Sequence, residues 1–308
     1  MSIMVIGSFM MDLVIGAERA PQAGETVIGR SFDRFPGGKG ANQAVAAARL
    51  GAKVSMAGKL GRDSFGEQFL QVLQQEGIER SDVLVDGEAP TGVGNIVLEQ
   101  GGQNRIIVVP GANMKFTAEE TRRLEAGIKA SRMLIMQLEM ELEVVVQAAD
   151  IADKCGIPVI LNPAPARPLP RDLLRKITYL TPNESELALL TGIAADTEEN
   201  LILGAQKLRD QGVACVIVTL AEKGALVADS TGVTRVEGYP VEPVDTVAAG
   251  DSFNGALAAE LIRGASVQEA VRFANAVGAL TVTRHGAIPS LPRREEVELF
   301  LQERKTGA

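Results

Sequence analysis

Along most of the chain, short, largely apolar runs alternate with longer stretches in which apolar residues recur at helical spacing. The runs at 133–138, 158–161, 177–180 and 213–220 lack polar alternation, which suits strands buried on both faces of a parallel sheet. Helical periodicity marks 42–50, 64–76, 142–154 and 200–211, and the last third reads as helical over 251–263, 266–283 and 294–304. The rhythm predicts an α/β fold with helices on both faces of a mostly parallel sheet. Two segments interrupt it. Residues 25–35 alternate with period two, and 92–109 reads as two strands joined at Gly101-Gly102, a favoured hairpin turn. Both lie in the first 110 residues, so they are expected to form a small β-sheet lid, about 12–36 and 91–110, over the C-terminal ends of the main strands. The whole of 1–308 then reads as a single domain carrying that lid, without repeats or low-complexity tracts.

Composition narrows the classes. A chain of 308 residues, 46% hydrophobic and 23% charged, can bury a large core. A formal charge of −8 with no basic run argues against a nucleic-acid partner or an anionic membrane surface. Cys155 and Cys215 sit in apolar segments without metal or redox spacing, and read as core residues in a reducing compartment. The N-terminus enters an apolar run without a signal pattern, and no stretch reaches membrane-spanning length, so a cytoplasmic protein is expected.

The densest chemistry lies in Asp245-Thr246-Val247-Ala248-Ala249-Gly250-Asp251-Ser252-Phe253-Asn254-Gly255. Its small residues let a ligand approach the backbone, and the first N–H groups of the following helix suit an anion. Asp251 adds a carboxylate, which fits either a helix cap or a base that deprotonates a hydroxyl beside a phosphate. Gly37-Gly38-Lys39-Gly40-Ala41-Asn42 precedes an Ala-rich helix and offers one cation and one amide, either as a plain turn or as sugar-binding donors. It is not a phosphate-binding Walker loop. The nearest match to that loop, residues 24–31, has Arg30 where Lys belongs and lies in strand-like sequence. Asn183 and Glu186 fit a helix cap or a place near phosphate and Mg2+. The turn Thr219-Leu220-Ala221-Glu222-Lys223-Gly224 fits a tight connection or the lip of a nucleotide cleft, and Glu139 a surface position or a substrate contact. His285, the sole histidine, cannot build a metal site.

These motifs resemble those of the PfkB-type carbohydrate kinases, in their ribokinase and deoxyribokinase branch, along essentially the whole chain. Gly37 to Ala44 is similar to the family's N-terminal signature, and Asp245-Thr246 through Asp251 and Asn254-Gly255 to its C-terminal one. Asn162-Pro163-Ala164-Pro165-Ala166, Thr181-Pro182-Asn183-Glu184 and Thr283-Arg284 through Pro289-Ser290 also resemble segments of that branch. The resemblance implies a Rossmann-like domain with a β-sheet lid, often shared across a homodimer, and transfer of the ATP γ-phosphate to O5 of a pentose. It makes Asp251 the base and the N–H groups of Ala248, Ala249 and Gly250 the anion hole. Asp12, Gly38, Lys39, Gly40, Asn42 and Glu139 would grip the sugar. Asn183, Thr219, Leu220, Ala221, Glu222, Lys223, Gly224, Gly250 and Asn275 would line the nucleotide site, with Glu186 acting on Mg2+ through water. A K+ site would use Asp245, Val247, Thr281, Arg284, Gly286 and Ser290, several through backbone carbonyls.

One departure bears on the sugar. Typical ribokinases carry Asn two places before the sugar-binding Asp, whereas Met10 stands there and resembles deoxyribokinases. A thioether is a weak acceptor, so a buried hydroxyl facing it would lose about 1–3 kcal/mol, unless Met10 merely fills space and water serves the hydroxyl. D-Ribose and 2-deoxy-D-ribose are therefore both candidate substrates. Another sugar or nucleoside kinase of the family, or a non-catalytic sugar sensor on the same fold, are the competing readings.

Overall fold

The structure, a computed structural model, describes residues 2–101 and 103–306. In chain order its strands are β1 (Ser2–Ile6), β2 (Met10–Ala17), β3 (Ser31–Gly37), β4 (Lys53–Gly61), β5 (Glu79–Asp86), β6 (Gly92–Glu99), β7 (Asn104–Val109), β8 (Met133–Met136), β9 (Val159–Leu161), β10 (Tyr179–Leu180), β11 (Cys215–Thr219), β12 (Ala225–Asp229) and β13 (Gly232–Val236). Nine of them form one sheet in the order β13-β12-β11-β10-β9-β8-β1-β4-β5. It is parallel from β11 to β5, and β12 and β13 extend it antiparallel at one edge.

The short apolar runs have the expected cause. Alternate residues of each central strand enter opposite cores: Val5 and Ile135 pack with helices Lys39–Arg49, Ala249–Arg263 and Val267–Thr281, while Met4, Ile6, Leu134 and Met136 pack with Leu142–Cys155. Burial on both faces leaves no polar alternation to read.

A second sheet, β3-β2-β6-β7, pairs β2 parallel to β6 and its two edges antiparallel. It joins the large sheet at Phe9, which packs edge-to-face on Phe69 at 5.3 Å, a pairing that adds about 0.5–1.5 kcal/mol. The Asn113 side chain accepts from the Phe9 N–H and donates to its carbonyl, as a neighbouring strand would. Close by, Gly7, Gly40 and Gly58 stack backbone on backbone. A β-carbon on Gly40 would lie 2.4 Å from the Ser8 nitrogen, and one on Gly58 2.4 Å from the Gly7 carbonyl oxygen.

Several boundaries differ from the sequence reading. The period-two stretch at 25–35 becomes strand only from Ser31; residues 25–30 find no ladder, and Ile28 stands 87% exposed. Gly102 of the expected hairpin turn lies outside the described residues, although β6 and β7 pair from Leu98 with Asn104 onward. Strands β4, β5, β12 and β13 carry weaker apolar signals. In β4, buried Lys59 interrupts the run and is satisfied by Glu120 and the Lys115 carbonyl, each at 2.8 Å.

Candidate active site

The C-terminal ends of β1, β8, β9, β10 and β11 open on one edge of the large sheet, the usual place for a ligand in a parallel α/β fold. The 245–255 segment faces that edge. Asp245 closes its turn by accepting from the Val247 N–H at 3.0 Å and the Gly286 N–H at 2.9 Å. Ala248 is the helix N-cap, in the left-handed conformation at φ 62°, strained for a residue with a β-carbon. Of the N–H groups in the first turn, that of Ala249 reaches back to the Thr246 carbonyl at 3.4 Å; those of Gly250 and Asp251 lack an intrahelical partner.

Asp251 lies inside the helix and does not cap it. It is buried, with Oδ1 accepting from Gln43 Nε2 and Oδ2 from Asn42 Nδ2, both at 2.9 Å. A polar network continues behind it. Gln43 also donates to Asn162 Oδ1 and accepts from Gln137 Nε2 at 2.8 Å. Asn162 donates to the Thr181 carbonyl, the Thr181 hydroxyl donates to Asn254 Oδ1, and Asn254 donates to the Gly250 carbonyl at 2.8 Å. The network thus anchors the carboxylate and the turn together.

Lys39, the first residue of its helix, sits amid Asp251, Glu139, Glu186 and Asp12. Burial alone would lower its pKa, but the surrounding carboxylates outweigh that and raise it, so the ammonium persists. Glu139 Oε2 holds the entry to this helix, accepting from the Lys39 N–H at 3.0 Å and the Ser8 hydroxyl at 2.5 Å. Asp12 lies on β2 between two glycines. A β-carbon on Gly37 or Gly94 would come within 2.7 Å of its carboxylate oxygens. Burial, with Glu139 and Asp251 nearby, pushes the Asp12 carboxyl up to about 7. Met10 lies two residues earlier on the same face, buried, with its Sδ 3.0 Å from where a Gly92 β-carbon would be.

On the other side, Asn183 and Glu186 form a reciprocal capping box: Asn183 Oδ1 accepts from the Glu186 N–H and Glu186 Oε2 from the Asn183 N–H. The capping reading therefore holds, and both residues also line a cavity. Burial raises the Glu186 pKa, against the Asn183 N–H and Lys39, which lower it.

Two cavities meet at the turn. One of about 190 Å3 is lined by Lys39, Asn162, Thr181, Asn183, Glu186 and the 248–251 turn, including Asp251. The other, of about 700 Å3, shares Asn183, Thr219, Thr246, Ala249 and Gly250, and adds Ala221, Glu222, Gly224, Tyr239, Val241, Phe253, Asn275, Ala279 and Val282. Asn275 donates to the Glu237 carbonyl at 3.0 Å, which ties its helix to the segment after β13.

Not every expected residue reaches these walls. Met10, Asp12, Gly38, Gly40, Asn42 and Glu139 line neither cavity, although Asn42 touches Asp251 and Glu139 the Lys39 backbone. Gly40 is buried under Ser8, and Gly38 adopts φ 87° against Met10. Leu220 is buried, its N–H bonded to the Gly224 carbonyl, and Lys223 is exposed. Asp245, Val247, Thr281, Arg284, Gly286 and Ser290 line neither cavity, and of these Asp245 bonds the N–H groups of Val247 and Gly286. The Arg284 guanidinium pairs with Glu296 at 2.6 Å, and the Thr281 and Ser290 hydroxyls donate to nearby carbonyls. Gln43, Gln137 and the apolar wall of Tyr239, Val241, Phe253 and Val282 were not singled out by sequence; their partners are too distant in the chain.

A buried carboxylate beside open helix N–H groups, at the C-terminal edge of a parallel sheet, belongs with the α/β phosphotransferases. A model of pfkB family carbohydrate kinases matches residues 1–294. The ribokinase of Haemophilus influenzae is 40% identical over 298 residues, 97% of each chain, and the deoxyribokinase of Salmonella typhi 37% over 302 residues, 98% of this chain and 99% of its own. A structure of Arabidopsis thaliana ribokinase complexed with ribose and ATP matches with a TM-score of 0.91 at 34% identity, covering 97% of this chain and 98% of that one. The chain belongs to the pfkB family of carbohydrate kinases and is a sugar phosphotransferase.

Proposed function

We propose that the chain is an ATP-dependent pentose kinase that transfers the γ-phosphate of ATP to O5 of D-ribose or 2-deoxy-D-ribose. The observation that carries this reading is the placement of Asp251, buried between the Lys39 side of the cleft and the first turn of helix Ala249–Arg263. Asp251 takes the proton of the O5 hydroxyl as the bond from O5 to Pγ forms. The bond from Pγ to the β-phosphate oxygen breaks, and ADP leaves. The N–H groups of the 248–250 turn, Gly250 foremost, face the charge on the transferring phosphoryl group, and Lys39 adds a cation beside it.

Asp12, Gly38, Lys39, Gly40, Asn42 and Glu139 form the sugar end, the glycines by clearing space for it. Asn42 Oδ1 is buried without a hydrogen-bond partner among the described residues, an acceptor suited to a sugar hydroxyl. The larger cavity takes the nucleotide, with Asn183, Thr219, Glu222, Gly224 and Asn275 on its walls.

Mg2+ would neutralise phosphate charge. Among the described residues no group of three or more His, Cys, Asp or Glu could hold a metal, so the fit is to one carboxylate, Glu186, acting through water. For K+, the Asp245 carboxylate draws 245–247 and 286 together, while paired Arg284 can offer only its backbone carbonyl. The second sheet, about 12–36 and 91–110, would close over the sugar as a lid. Its β7 edge exposes Ile106, Ile107, Val108 and Val109, which favours pairing with a second copy in a homodimer. No described helix is long and apolar enough to cross a membrane. A cytoplasmic setting remains part of this proposal.

Curated relatives of both names are similar at 37–40% identity, so the choice of sugar rests on Met10. Coupled ADP release with the two pentoses, hexoses and nucleosides tests the reading. No release with any of them would support a sensor instead. The kcat/KM for D-ribose should exceed that for 2-deoxy-D-ribose by less than tenfold, and Met10→Asn should raise the ratio about tenfold. A native ribose preference above tenfold would overturn the role of Met10.

A further inference from the structure

We propose that Gln137, which touches neither Asp251 nor either cavity, is a positioning residue for the Asp251 base and acts through the amide of Gln43. The inference rests on the reading of Asp251 as the base. A carboxylate only accepts hydrogen bonds, so Gln43 must present Nε2 to Asp251, and its Oε1 must point the other way. There Oε1 meets Gln137 Nε2 at 2.8 Å. The orientation of the first amide therefore dictates that of the second.

Gln137 bears a cost that fits this duty. It is 1% exposed, and its Oε1 has no hydrogen-bond partner among the described residues. That oxygen lies against Gly7, where a β-carbon would come within 2.2 Å of it. Turning the amide over would place Oε1 against Gln43 Oε1 and force Gln43 to turn its own oxygen on Asp251. The buried carboxylate thus keeps both amides in one sense, and Gln137 in return keeps Gln43 from rotating away when the sugar hydroxyl competes for Asp251.

The test uses the full-length enzyme with saturating sugar and ATP, reading kcat against pH, both KM values and the melting temperature. Gln137→Met removes the donor at similar volume. Its kcat should fall about tenfold, and the acid limb of the pH profile should move up by about one unit as Asp251 loses an oriented donor, with KM for ATP unchanged. Gln137→Glu gives a distinct signature. Protonated, the introduced carboxyl still donates to Gln43 Oε1 and activity stays near the parent's; ionised, it accepts and draws Nε2 off Asp251. An additional descending limb at higher pH is expected, which a purely structural role would not create.

Parental pH profiles in a folded Gln137 variant would overturn the proposal. So would a shifted limb in Gln43→Met with none in the Gln137 variants, because Gln43 would then need no help. Asp251→Asn separates the two failures. If it retains turnover, the base assignment falls; if it is inactive while Gln137→Met and Gln137→Glu match the parent, only the relay falls.

Discussion

Where the smaller cavity crowds Lys39, Glu186 and Asp251 into about 190 Å3, the larger one spreads Tyr239, Val241, Phe253, Ala279 and Val282 around about 700 Å3. The first is specified atom by atom. Buried Asp251 has a fixed amide partner on each oxygen, and a single exchanged atom there leaves a buried group unsatisfied. The second is specified by shape, through apolar side chains that many residues could replace at modest cost. The contrast predicts sharp losses from substitutions on one side and graded ones on the other.

Asp251→Asn tests the sharp side most severely. It keeps the volume and removes the base, so kcat should fall about 10²- to 10⁴-fold while nucleotide binding, measured by calorimetry, survives. Full turnover would mean that the two cavities differ only in polarity.

Asp12→Asn comes next. Loss of a charged acceptor should raise the sugar KM about 10- to 100-fold without changing KM for ATP. The same change should stabilise the protein at pH 8. The folded Asp12 carboxyl titrates at about 7, whereas the unfolded chain releases that proton near 3.8. Between these values the folded state holds more protons than the unfolded one, so stability falls as pH rises through the window. Melting temperatures of parent and Asp12→Asn at pH 5 and 8 should therefore diverge, with the variant favoured at the higher pH. Below pH 4 the difference should vanish.

On the graded side, Ala279→Leu narrows the larger cavity. It should raise KM for ATP about 3- to 10-fold and leave the sugar KM alone. A comparable rise in the sugar KM would show that the cavities are not independent. The smallest effect is expected at their junction. Ala248→Gly relieves a left-handed residue at φ 62° and should stabilise by about 0.5–1 kcal/mol in denaturant titrations.

The same contrast explains what could be read from the chain. Lys39, Asn42 and Asp251 stood out as polar residues in glycine-containing turns ahead of helices, and Asn183 and Glu186 as a polar pair following an apolar run. Gln43 lay inside a recognisable motif, yet its purpose depends on Asp251, more than 200 residues onward. Gln137 closes an apolar strand and carries no local mark. Tyr239, Val241, Phe253 and Val282 are indistinguishable in sequence from core residues, because the same apolar chemistry makes both. The central strands β8 to β11 were legible through burial on both faces, whereas parallel β4 and β5 mix charged residues into theirs and edge strand β13 is mostly exposed. Residues 25–30 misled for the opposite reason. Their alternation belongs to a mostly exposed segment that joins no ladder and meets β2 through the Arg30 N–H on the Gly16 carbonyl.

The pairing of β2 with β6 sets an order on synthesis. Met10 finds its parallel neighbour only at Gly92, made more than 80 residues later, and the far edge at β7 is complete only after Val109. While the chain is still emerging, the N-terminal strand bearing Met10 and Asp12 has no parallel partner. The sugar end of the cleft can thus close its sheet before the nucleotide end at 219–282 has been made, and a nascent chain shorter than that hairpin leaves an open strand for other chains to join.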